Sequence, residues 1–220
     1  MAETLGKMEK PEAESFKLGR KLIYVPLIFL PPEDEDEKLI SLVQQYWAEA
    51  AEQVNKLASG LAGIKKVYHE LVPAGEHGLQ TMSEMHSGSH DLVKSFLDAG
   101  AVLEETEDAE ILGEYMDWGR CLSIQLQSPR VFTEVYEKYT AAQQKRIETI
   151  GKKIDESLKN DELGLVILRE GHHVQFPTDV QVFYVAPPGL DALTRYVRER
   201  FEKKSAPAET ENKTEKADKE

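Results

Sequence analysis

Two apolar runs limit what this chain can build. KLIYVPLIFL at 21–30 and LGLVIL at 163–168 carry almost no polar residue on either alternate face. That is how a strand covered on both sides of a sheet reads, and helices must then supply the two covers. Neither run approaches the roughly 20 apolar residues that span a bilayer, so no membrane segment is expected. Pro26 inside the first run is a complication, because proline has no N–H to give a central ladder.

Between the runs the period changes to that of helices. Residues 31–63 begin Pro31-Pro32, continue with five acids from Glu33 to Glu37, and place Leu39, Val43, Tyr46, Trp47, Ala50, Val54, Leu57 and Leu61 on one stripe. The acids suit the positive end of a helix dipole, and spread around a turn they do not converge on a cation. IKKVYHELV at 64–72 alternates as a strand, giving a βαβ unit. Helices are then predicted at 75–86, after Ser89 to Gly100, from Glu107 to about Leu126, and from Ser128-Pro129 to Leu158. HVQF at 173–176 and VQVFYVAPP at 180–188 are predicted as strands, the first pairing with LGLVIL as a β-hairpin turned at Gly171. A helix bearing Leu190, Leu193, Val197 and Phe201 follows.

The expected fold is therefore α/β: a small, mostly parallel sheet with a β-hairpin, covered by about six helices, two of them long. A single domain over 18–204 is expected, between a disordered acidic tail at 1–17 and a disordered charged tail at 205–220 with little to bury. Trp47 and Trp118 sit on apolar stripes and are expected to be buried.

A formal charge of -13 disfavours nucleic acid, and the cations Arg195, Arg198, Arg200, Lys203 and Lys204 fit the negative end of the last helix. Cys121, the only cysteine, forbids an internal disulfide and fits a reducing cytoplasm. Set among Trp118, Leu122 and Ile124, it reads as a structural thiol.

All six histidines fall in two windows. His86 and His90 have metal-ligand spacing, but Ser87-Gly88-Ser89 breaks the helix between them. His69 and Glu70 lie toward the end of one strand, and Glu170 and His172 follow the end of another. In parallel sheets ligands gather beyond the carboxyl ends of strands, so these four are the candidate catalytic residues. His172 and His173, adjacent on an extended chain, would point to opposite faces. The strand followed by Glu170-Gly171-His172-His173 resembles, over a dozen residues, the strand-end motifs of the TraB and Tiki hydrolase group, α/β proteins with paired Glu and His residues. KLIYVPLIFLPP departs from that pattern in having no histidine, and no family membership follows.

Two functions are compatible with these features. The first is a cytoplasmic interaction or regulatory component, self-associating or binding another protein through the long amphipathic helices, Glu33 to Gly60 and Pro129 to Leu158. The alternative is a hydrolase working in a crevice made by His69, Glu70, Glu170 and His172, with or without a divalent metal. No cofactor is indicated by any motif.

Overall fold

The computed structural model describes residues 18–28, 36–74, 76–85 and 87–205. The expected tails lie outside these residues, apart from Ser205, and so do His86 and the acids at 33–35.

Five parallel strands form one sheet in the order β3-β2-β4-β1-β5: β1 (Lys21–Leu27), β2 (Ile64–His69), β3 (Val102–Glu104), β4 (Leu163–Arg169) and β5 (Gln181–Tyr184). The two apolar runs lie side by side in the middle, Lys21 opposite Leu163 and Leu27 opposite Arg169. Each is almost fully buried, as strands with helices on both faces must be. Pro26 fits because of what flanks it. Tyr24 accepts from the Val185 N–H on the β5 side, so Pro26, two residues on, turns its missing donor toward the same side, past the last β1–β5 pair.

The sequence of strands differs from expectation in three ways. The β1–β2 unit exists, but β4 inserts between its strands. The three-residue β3 was not predicted. The hairpin is absent: residues 171–180 form no strand, and β5 crosses to the far side of β1 and pairs with it in parallel. Gly171 does make the turn, at φ 69°, while His173 also takes a left-handed φ of 56°, so the two histidines are not on an extended chain. Instead of pairing, Val174, Phe176 and Val180 bury their side chains against one face of the sheet.

Helices α1 (Glu37–Leu61), α3 (Ser87–Asp98) and α6 (Pro188–Ser205) cover the other face, and α2 (Glu76–Met85) precedes α3. Asp36 caps α1 by accepting from the Leu39 N–H. Trp47 is buried in this layer.

The opposite cover is thinner. It is the C-terminal half of α5 (Pro129–Ser157), whose Ile147, Ile150 and Ile154 pack over Leu22, Tyr68, Val166 and Leu168. Gly151 admits the 174–176 segment, since a Cβ there would lie 3.0 Å from the Gln175 carbonyl oxygen. At about 1.5 Å per residue α5 is about 43 Å long, against about 23 Å for a seven-residue strand. Its C-terminal end is pinned near the strand starts, where the Arg20 guanidinium donates to the Asp155 and Leu158 carbonyls. Residues 129–141 therefore run past the strand ends, paired with α4 (Ala109–Ser123) as a helical hairpin. Trp118, on this arm, is partly buried.

Candidate cleft at the strand ends

Glu70 follows β2 by one residue, and its N–H donates to the Ile167 carbonyl of β4, which fixes the carboxylate over the end of its neighbour. Its side chain is 1 % exposed. Oε2 accepts from the Arg169 backbone N–H at 2.7 Å, and Oε1 accepts from Arg169 Nε at 2.6 Å and Arg146 Nη2 at 2.8 Å. Arg146, reaching down from α5, also donates through Nε and Nη2 to Glu107, just before α4. Two guanidinium groups and two carboxylates so balance within one largely buried cluster.

The electrostatics follow from this pairing. Burial alone would raise the Glu70 pKa, but Arg169, its N–H and Arg146 together hold it below the ordinary carboxylate value. Burial would likewise discharge Arg146, yet its bonds to Glu107 and Glu70 raise its pKa above normal. Each charge stays because the others are there. The turn after Glu70 bears a cost for the arrangement: Leu71 adopts φ 62°, a region that side chains with a Cβ avoid, and its N–H donates to Glu107 at 3.4 Å.

Beside this cluster lies a narrow cleft with room for about one water, walled by the sheet, the 171–174 turn and the root of the arm. Glu70, Arg146, Arg169, Gln143, His172 and the Tyr115 ring line it, with Ile147, Ile150, Leu168 and Val174 as its apolar wall. His172 is half-buried and held edge-on to Tyr24, ring centroids 5.0 Å apart. Its Nδ1 accepts from the Val174 N–H at 2.9 Å, and burial lowers its pKa, so the neutral ring carries its proton on Nε2.

Of the four residues predicted for this site, the structure brings Glu70 and His172 into the cleft. His69 sits on the other side of the sheet, buried, with Nδ1 against the Glu70 carbonyl at 2.7 Å and Nε2 against Ser89 Oγ of α3 at 2.9 Å. The cause is the strand period: in β2 consecutive side chains alternate, so His69 and Glu70 oppose one another across the sheet. Glu170 is exposed and accepts from the Tyr184 hydroxyl of β5 at 2.9 Å. Burial and that carboxylate push the Tyr184 pKa up to about 12.

Sequence reasoning missed Arg146 and Glu107. Arg146 had left a signal, occupying the buried i, i+4 series Ala142, Arg146, Ile150, Ile154, where an unpaired cation would not be tolerated. Among the described residues no three His, Cys, Asp or Glu side chains are grouped to hold a metal ion, and His90 pairs with Asp91 at 3.0 Å. Among them too, no helix is long and apolar enough to cross a membrane. Compared with family models, curated proteins and solved structures, the chain matches none.

Proposed function

We propose that this protein acts as an interaction component, meeting another protein chain through the α4–α5 arm. One observation carries the reading. Five of the twelve large apolar side chains exposed among the described residues, Met116, Ile124, Val131, Phe132 and Tyr136, belong to this arm. Phe132 and Tyr136 stack on one another with centroids 6.2 Å apart while both remain about half-exposed, an aromatic pair of the kind that anchors interfaces. Apolar exposure concentrated in a projecting element marks a contact surface more often than scattered exposure does. The single cysteine keeps a cytoplasmic setting as part of the reading.

Sedimentation velocity on the whole chain and on the Phe132→Ser/Tyr136→Ser variant tests it. The wild type is expected to dimerise with rising concentration or to retain a co-purifying chain, and the variant to do neither while melting at the same temperature. A strictly monomeric wild type without a co-purifying chain would remove the proposal.

A second reading, hydrolysis in the cleft, rests on Glu70 and His172 sharing it. It is weaker because the Glu70 oxygens are engaged by Arg146 and Arg169. If it holds, His172→Ala abolishes turnover of an ester or amide panel and His173→Ala does not; no turnover by the wild type ends it.

A further inference from the structure

We infer that the partner met by the arm is a second copy of this chain, and that the two arms pair antiparallel as a four-helix bundle, the tip of each against the strand ends of the other. The inference rests on the arm being a contact surface and adds which chain it meets and in which direction.

The direction comes from the stripe of α5. Ile147, Ile150 and Ile154 face the sheet. Counting back from Ile147 by four, seven and four residues gives Gln143, Tyr136 and Phe132, spacings that keep side chains on one side of a helix. The stacked Phe132 and Tyr136 therefore face the layer that the sheet occupies, past the point where its strands end. On α4, Met116 is one turn from Gly119, which abuts the Tyr139 ring, and it borders the same side of the hairpin. Beneath the arm is thus a notch, with the strand ends and the 171–174 turn at its back. A helix packs on a helix at about 8–10 Å, so a second arm in this notch continues the layer of the sheet and brings its tip to the strand ends.

Charge and area both favour a second copy. Chains carrying -13 repel one another wherever carboxylates meet. Here they do not meet. Glu114 is two positions from Met116, and Glu134 is two positions from both Phe132 and Tyr136, which places these carboxylates across their helices from the apolar side. An apolar face cleared of like charge matches itself, as a two-fold contact requires. Met116, Ile124, Phe132 and Tyr136 are each 43–61 % exposed. At about 200 Å² for a large side chain they offer about 400 Å² per copy, close to the apolar share of the roughly 800 Å² each partner gives a standard interface. Parallel arms would crowd two α/β bodies, each wider than a helix pair, at one end. Antiparallel arms send the bodies to opposite ends, the arrangement of an antiparallel bundle.

Sedimentation velocity of the full chain is expected to show a self-dimer, and Phe132→Ser/Tyr136→Ser to raise its dissociation constant at least about tenfold. Direction is read with a short bismaleimide on chains carrying Cys121→Ser. Gln127→Cys at the arm's tip, mixed with His173→Cys at the exposed turn, is expected to cross-link the two chains, whereas Gln127→Cys alone is not expected to cross-link to itself. Tip-to-tip cross-linking, or a dimer whose mixed chains fail to cross-link, overturns the inference. A monomer holding a different co-purifying chain, released by the aromatic variant, also overturns it but leaves the arm as a contact surface. A monomer with no such chain, or a dimer that the aromatic variant leaves intact, removes both.

Discussion

Helix α5 is one continuous element with two unlike halves. From Ile147 to Ser157 its apolar side chains are sealed against the sheet, while between Pro129 and Ala141 Val131, Phe132 and Tyr136 stand in solvent and Tyr139 stacks on Tyr115 of α4. What differs is the surface beneath: about 23 Å of strand lies under the first half and none under the second. The contrast teaches that a stripe records a face available for burial and leaves open whether the chain itself supplies the cover.

The strongest challenge to this contrast is at the root's charge cluster. Arg146→Met is expected to cost about 3–5 kcal/mol in urea denaturation, because it leaves Glu70 and Glu107 buried without their partner; adding Glu70→Gln and Glu107→Gln should restore much of it. A loss under about 1 kcal/mol would mean that the root is no more firmly held than the tip. Next, Ile154→Ala in the root should cost about 2–4 kcal/mol and Val131→Ala in the tip less than about 0.5 kcal/mol, read by the same method. Acid sharpens the comparison further. Glu70 has a folded pKa below its unfolded one, so the unfolded chain binds its proton first; the stabilisation is complete above the ordinary Glu value of about 4.3 and is lost as pH falls through the folded value. Acid unfolding monitored with and without Glu70→Gln should show this part of the pH dependence only in the wild type. The smallest effect belongs to the tip's cap. Ser128 Oγ accepts the Val131 N–H at a long 3.5 Å, and Ser128→Ala is expected to cost about 0.5 kcal/mol in thermal unfolding.

Much of the frame was legible because its signals are local. Continuous apolar runs identified β1 and β4 as doubly covered, Ser128-Pro129 marked where α5 begins, and the stripes showed what the helices bury, although α1 starts at Glu37 rather than at Glu33. The order of strands was not legible. A strand of three residues such as β3 has too short a period to register, and residues 173–176 looked like a strand because they bury Val174 and Phe176, which a loop with its backbone outside the ladder does equally well. Adjacency in sequence suggested a hairpin of β4 with 173–176, whereas β4 pairs with β1 and β2, about 140 and 100 residues away. The site was half readable for the same reason. Glu70 and His172 announce themselves at strand ends, but Arg146 and Glu107 come to Glu70 from 76 and 37 positions away, and only the misplaced cation in α5's buried series hinted at them.

The place of β1 carries a consequence for how the chain is made. Of the five strands it is the first to be synthesised, yet it lies inside the sheet, and both its neighbours, β4 and β5, are encoded at 163–184. At about 5–20 residues per second, roughly 7–30 s of synthesis separate β1 from the strands it pairs with. During that interval KLIYVPL is an apolar segment without its sheet neighbours, and α1 is an early element that packs against it. Translation speed over the intervening residues therefore sets how long this apolar segment waits for the strands that flank it.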